Sequence, residues 1–137
     1  MSQEQTARAF FEACETGGGW EGCKAYCHPD ATFTCQADAL AQTKTLEDYA
    51  QWMKGLLGPI PDGLYKLTAF AADAGRNTVV ATAVFQGTQT GPGGPVDPTG
   101  RTVASDYAYV MVFEGDHITH MTKIWNDGAA LRQLGWA

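Results

Sequence analysis

Apolar side chains fall at Ala7, Phe10, Phe11 and Cys14 near the start of the chain. That is the spacing of one helical face, and it predicts a helix over 3–16, ended by Gly17-Gly18-Gly19. A second helix is predicted over about 20–26. His28 precedes Pro29 and is pushed towards extended backbone. Residues 31–35, Ala-Thr-Phe-Thr-Cys, alternate as a short strand. "ADALAQTKT" reads as a loop whose last residue, Thr45, heads "TLED", a capping box with Asp48 in place of the usual Glu. The helix it opens carries Leu46, Tyr49, Ala50, Met53, Leu56 and Leu57, and stops at Gly58-Pro59. From there the period changes to two. Strands are predicted over 65–73, 77–86, 101–113 and 118–125, joined by the turn "AGRN", the long Gly/Pro loop "TGPGGPVDPTG" and the tight turn "EGDH". The closing "DGAALRQLGWA" reads as a short tail.

Helices first and longer antiparallel strands afterwards define an α+β domain, taken as one unit over 1–137, with three helices packed on a curved, mostly antiparallel sheet. A sheet bent over helices encloses a conical cavity between the layers, and a ligand is expected there.

Composition narrows the partners. The net charge is -6 and the nine basic residues are scattered. Phosphate binding needs clustered Lys and Arg, so nucleic acid is not expected, and an acidic surface does not favour anionic membranes. No run reaches the roughly 18 apolar residues of a membrane span. The polar opening "MSQEQTARAFFEA" is unlike a signal peptide, which makes a cytoplasmic location the expectation. Cys14, Cys23, Cys27 and Cys35 show no CxxC pair, so neither a zinc site nor a disulfide framework is read. The loop 87–101 has no GKS or GKT and no helix after it, so it is not a phosphate loop; it is expected to curl over one end of the cone as a rim. No Ser sits on a strand-to-helix elbow, and no metal or other cofactor is implied.

Four stretches in order, "HPDATF" (28–33), "FQGTQTGPGGPVDPTGR" (85–101), "VFEGDHI" (112–118) and "ALRQLG" (130–135), resemble the SnoaL-like polyketide cyclase family within the nuclear-transport-factor-2-like cone fold. The resemblance covers nearly the whole chain. It implies that the odd positions of the last two strands, Ser105 to Phe113 and Thr119, Met121, Lys123 and Trp125, face the cavity. The even positions would face the convex side, which often forms a dimer interface in this fold. Small Ala104 and Ala108 suit such an interface, and a homodimer through the convex sheet face is expected.

The family's last strand commonly reads His-Trp-Asp, its Asp serving as acid/base in an aldol ring closure. Here the stretch is Met121-Thr122-Lys123. An amine stands where a carboxylate is usual, and an unperturbed Lys is charged at pH 7 and cannot act as a base. The positions that the ketosteroid-isomerase branch would use hold Cys35, Phe11 and Tyr109, none of them a carboxylate.

The candidate site is therefore Lys123 and Tyr109 for chemistry. Tyr107, Cys35 and Gln89 are further polar tips, and Phe11, Phe33, Met53, Met121 and Trp125 are walls, joined by Tyr49 and Trp52. Lys123 has three readings: a base or Schiff-base amine with a depressed pKa, a cation gripping a carboxylate or enolate, or a side chain reaching water at the cavity mouth. His28 reads as a turn residue hydrogen-bonded to backbone, and His120 as a convex-face residue. Asp127 either caps the tail's turn or reaches the rim to pair with Lys123 or Arg132. Two functions stay open: an enzyme of cyclase or isomerase type acting on an apolar oxygenated molecule, or a ligand-binding protein without turnover.

Overall fold

The computed structural model describes residues 1–137. Its helices are α1 (Gln3–Glu15), α2 (Gly19–Cys23), α3 (Leu46–Leu56) and α4 (Asp127–Leu134). Its strands are β1 (Cys27–Cys35), β2 (Leu64–Asp73), β3 (Thr78–Thr88), β4 (Thr102–Glu114) and β5 (His117–Trp125). The strands form one sheet in the order β1-β5-β4-β3-β2. β2, β3, β4 and β5 pair antiparallel, and β1 joins β5 in parallel. The α+β class and the mostly antiparallel sheet stand as read from the sequence. No helix is long and apolar enough to cross a membrane.

Caps set where the helices begin. The Ser2 hydroxyl accepts from the Gln5 amide, and the Gln5 side chain accepts from the Ser2 amide, a reciprocal box that starts α1. Thr45 Oγ1 accepts from the Asp48 amide at 3.1 Å and starts α3. The inner face of α1 is Thr6, Ala7, Phe10, Phe11, Cys14 and Glu15. It lies on the sheet, where Val79, Ala81, Tyr109 and Met111 are buried.

Three sequence expectations change. The tail forms a fourth helix: Asn126 Oδ1 accepts from the Ala129 amide at 3.1 Å, and Gly135 ends α4 at φ 75, so a sequence with Asn before and Gly after was a helix with both caps written. Ala130 and Leu134, four apart, are its buried ridge. β1 starts at Cys27, earlier than the alternating run, because it is an edge strand whose pairing shifts register between Cys27 and Thr32, and such an irregularity tolerates Pro29. On β5, Ile118 and not Thr119 is buried. The β4–β5 register shifts between Val112 and Phe113, so an extra residue of β5 is accommodated and the alternation skips by one there.

The loop between β3 and β4 is tied down. Gln89 N donates to Arg101 O and Gly100 N to Gln89 O, both at 2.9 Å. Gly91 N donates to Pro59 O at 3.0 Å. A Cβ on Gly91 would sit 2.1 Å from Gly58 O, so only glycine lets the loop lie on the end of α3. That contact brings Gly93, Gly94 and Pro95 over the space between sheet and helices.

Candidate functional site

A cavity of about 430 Å³ opens between α3, α4, the β3–β4 loop and the sheet. Sites for drug-sized ligands run from about 300 to 1,000 Å³. Its walls are chiefly apolar, with Leu56, Ile60, Phe85, Val103 and Leu134 among them. Its polar groups are few: Glu15, Ser105, Tyr107 and Lys123, with the indoles of Trp52, Trp125 and Trp136.

Lys123 comes from β5, opposite Tyr109 of β4 on one side and Cys35 of β1 on the other. It is 5% exposed. Its Nζ donates to Tyr49 Oη at 3.0 Å. Four rings box it in, with centroids 4.4 Å away for Trp125, 5.0 Å for Tyr49 and 5.1 Å for both Trp52 and Tyr107. Aromatic faces attract a cation. Burial pushes the Lys123 amine below its usual pKa, and the negative charge of Glu15 opposes that shift. The reading of a lysine head in water at the mouth does not fit this placement.

Glu15 is the residue that sequence reasoning missed. It is the last residue of α1, 2% exposed, and it lines the cavity. Tyr107 and Tyr109 each donate a phenol proton to one of its carboxylate oxygens. Burial pushes its pKa up, and the Lys123 charge and the two phenols pull it back. A carboxylate is thus present in the cavity after all, supplied by the first helix instead of a strand. The signal was there: Ala7, Phe11 and Glu15 follow at intervals of four, so Glu15 shares the inner ridge with Phe11.

Glu15 and Lys123 form no direct ion pair. They are joined through phenols. Tyr49 Oη and Tyr109 Oη lie 2.7 Å apart, with Lys123 beyond the first and Glu15 beyond the second. Lys123 donates to Tyr49, so the Tyr49 proton points to Tyr109 and the Tyr109 proton to Glu15, a single polarised direction. Burial raises the pKa of Tyr49, Tyr107 and Tyr109, which keeps all three as neutral donors.

The other expected site residues divide. Met53, Tyr107 and Trp125 line the cavity with Lys123, and so does Trp52. Tyr109 and Tyr49 lie behind them, fully buried, and reach the cavity only through Glu15 and Lys123. Phe11 stacks on Tyr107 with centroids 6.1 Å apart, and Phe33 stacks on Tyr49 at 4.5 Å; both are core packing under the site, away from the cavity surface. Met121 is core as well. Cys35 is half-buried and does not face the cavity. Gln89 is spent on its own loop: Thr99 N donates to its Oε1 at 2.5 Å and its Nε2 donates to Gly91 O at 3.3 Å, so it anchors the rim instead of presenting a polar tip.

The residues set aside from the site fall as follows. His120 bonds Thr32 Oγ1 at 2.7 Å on the outer face, and His28 sits 3.4 Å from Glu114 O. Asn126, not Asp127, caps the tail. Asp127 accepts from the Ala39 amide at 2.8 Å and pins a loop. The four cysteines are free thiols, and no cluster of three His, Cys, Asp or Glu side chains is placed to hold a metal ion.

The family description "SnoaL-like domain" matches residues 7–121. No curated protein matches the chain significantly. Among solved structures, a candidate SnoaL-like polyketide cyclase from Jannaschia sp. CCS1 superposes with a TM-score of 0.79 at 16% identity, over 98% of this chain and 93% of that one. IdmH, a candidate polyketide cyclase from Streptomyces antibioticus, gives 0.76 at 21% identity, over 98% and 99%. A protein with a ketosteroid isomerase-like fold from Catenulispora acidiphila DSM 44928, solved with trimethylamine, gives 0.71 at 19% identity, over 96% and 93%. Identities this low carry the fold and nothing finer.

Proposed function

The chain belongs to the SnoaL-like domain family, and from that premise we propose that it binds a small, largely apolar, oxygenated molecule in the cavity and moves a proton α to one of its carbonyls, as a cyclase- or isomerase-like enzyme. One observation carries the reading: a buried carboxylate and a buried ammonium face one apolar cavity and are linked by a chain of phenols.

In this reading Glu15 is the base. Its carboxylate has about four lone-pair positions, of which the phenols use two. It takes a proton from carbon; the C–H electron pair moves onto the carbonyl, and Lys123 donates to the oxygen that becomes negative. If that oxygen takes the proton outright, Lys123 is left neutral and Glu15 protonated. Both charges return without water once the Tyr109 and Tyr49 hydroxyls, which rest with their protons towards Glu15, turn the other way and each passes one proton on, from Glu15 to Lys123. The cyclase or isomerase outcome depends on where the enolate carbon is next directed. Tyr109 acts through Glu15 and Tyr49, and is a positioning and relay group.

The ring box around Lys123 is of the kind that holds amines. Here the chain's own ammonium fills it, which favours an oxygen ligand over an amine. A ligand-binding role without turnover is the second reading, favoured by the fact that both Glu15 oxygens already accept phenol protons.

The test is proton exchange at carbon. Wild-type protein incubated with 2-tetralone in deuterium oxide is expected to speed deuterium entry α to the ketone, and Glu15→Gln to remove that acceleration. Tetralone binding with no exchange above buffer leaves the binding reading. We also propose a homodimer through the outer sheet face, on the strength of its small and apolar outward residues.

A further inference from the structure

One hydroxyl in the cavity has a proton that no group of the protein accepts. Ser105 stands on the inward face of β4, two residues before Tyr107 and opposite Phe85 of β3. It lines the cavity and is 7% exposed. Its Oγ accepts from Trp125 Nε1 at 2.8 Å, and this is the only hydrogen bond its side chain makes. Indole N–H is a donor only, so the roles are fixed: Trp125 takes one lone pair of Oγ, and the O–H is left to point elsewhere. A hydroxyl that accepts one hydrogen bond donates the next more strongly. Phe85, Val103 and Leu134 line the same cavity and offer that proton nothing.

Trp125 ties Ser105 to Lys123. Lys123 Nζ stands over the indole face, 4.4 Å from a ring centroid, while the N–H edge of the same indole meets Ser105. Trp52 packs against it edge to face at 5.8 Å, which holds the ring in place. Lys123 has three N–H groups and gives only one to an oxygen of the protein, Tyr49 Oη. Two donors with protons to spare therefore flank one indole, and both line the cavity. We propose that Ser105 is a specificity-determining residue, whose hydroxyl donates to a second oxygen of the molecule that Lys123 holds by its first. The ligand class is thereby an apolar molecule with two acceptor oxygens along one edge, such as a ketone that also carries an ether, an ester or a further carbonyl. This rests on the cavity being a ligand site. Ser105 holds the ligand and takes no part in the proton transfer.

The test uses aromatic carboxylates, which give Lys123 an oxygen without reacting. Each carries either a methoxy or an ethyl group; the two have nearly the same shape, and only methoxy can accept a hydrogen bond. The pairs are 3-methoxy- and 3-ethylbenzoate, 4-methoxy- and 4-ethylbenzoate, and 6-methoxy- and 6-ethyl-2-naphthoate, which step the second oxygen away from the first. Calorimetry is expected to show the methoxy member of the best-fitting pair favoured on wild-type protein, and Ser105→Ala to reduce that methoxy-to-ethyl affinity ratio about tenfold, the size of one well-made hydrogen bond. Comparing ratios cancels whatever the substitution does to the indole or to packing, since both compounds feel it alike. Ser105→Thr, which keeps the hydroxyl, is expected to keep the preference. A ratio that is the same in wild type and Ser105→Ala for every pair overturns the role of Ser105 and leaves the cavity a ligand site. No binding of any carboxylate, in a protein shown folded by circular dichroism, sinks the role of Ser105 together with the ligand-site reading.

Discussion

Glu15 and Lys123 face one cavity from opposite layers of the fold and are joined by a hydrogen-bonded chain through Tyr109 and Tyr49. The separation matters for titration. Burial raises the Glu15 pKa against the pull of Lys123, and lowers that of Lys123 against the pull of Glu15. A base that must be ionised and a cation that must be charged give a bell-shaped rate profile. The rate of deuterium exchange is expected to rise with pH through an elevated Glu15 limb and fall through a depressed Lys123 limb. The bell is narrower than the span from about 4.3 to about 10.4 set by the free side chains. A pH–rate profile of kcat/KM checks it; limbs at the free values would show that neither group is the one titrating.

The same pair governs stability. Lys123→Met removes the charge that opposes the rise in Glu15's pKa. A carboxyl with a raised folded pKa favours the fold in its neutral form, so that contribution is full below its unfolded pKa and is lost as pH rises through the folded one. The deficit of Lys123→Met relative to wild type is therefore expected to grow with pH, reaching about 1–3 kcal/mol near neutrality, the cost of an unpaired buried group. Adding Glu15→Gln should recover most of it, since removing both members of a buried charged set is often close to neutral. Urea denaturation at pH 4 and pH 7 gives the comparison.

Tyr49→Phe and Tyr109→Phe separate the relay from the charges. Tyr109→Phe takes a donor from Glu15, so its carboxyl rises further and the acid limb of the rate profile moves to higher pH. Tyr49→Phe leaves both donors of Glu15 in place and breaks the link to Lys123. It is expected to lower kcat by about 10²-fold, the low end for a proton-transfer contribution, with KM unchanged. An equal loss in binding would mark Tyr49 as a packing residue.

Strand period explains what could be read in advance. Along β4 every second residue from Val103 to Phe113 is buried, so Tyr107 and Tyr109 were legible as inward from alternation alone. Lys123 was legible only because it lies past the irregularity at Thr119, where the alternation has resumed. Glu15 was hidden by composition: a charged residue at a helix end next to glycines looks solvated, and only its place on the ridge of Ala7 and Phe11 says otherwise. Trp136 was hidden as a lining residue because it meets the cavity beside a loop far away in sequence, which the contact of Gly91 with Gly58 brings over the cavity.

The outer sheet face offers its own test. Val110 and Val112 are half-buried, Ala104 and Ala108 are small, and Ile124 is 61% exposed. Two copies packed through this face would bring Ala108 into close contact, where a longer charged side chain cannot be accommodated. Ala108→Glu is expected to convert a dimer to a monomer in sedimentation velocity, with far-ultraviolet circular dichroism unchanged. A wild-type chain that sediments as a monomer at high concentration removes the proposal.

Gln89 separates rim from chemistry. It is fully buried, and both ends of its amide hold the loop that carries Gly93, Gly94 and Pro95 over the cavity. Gln89→Leu keeps the size and orphans the Thr99 amide and the Gly91 carbonyl, which is expected to cost about 1–3 kcal/mol. The loosening should be local, because the Gly91 N–Pro59 O and Thr99 Oγ1–Leu134 O bonds still tie the loop down near the ends of α3 and α4. Hydrogen exchange is expected to quicken in 89–101 and around Trp136, whose neighbour Gly94 moves with the loop. A bound carboxylate should leave faster, while the pH limbs set by Glu15 and Lys123 stay where they were. Limbs that shift in this variant would mean that the rim tunes the buried charges, and that access and proton transfer are not independent in this cavity.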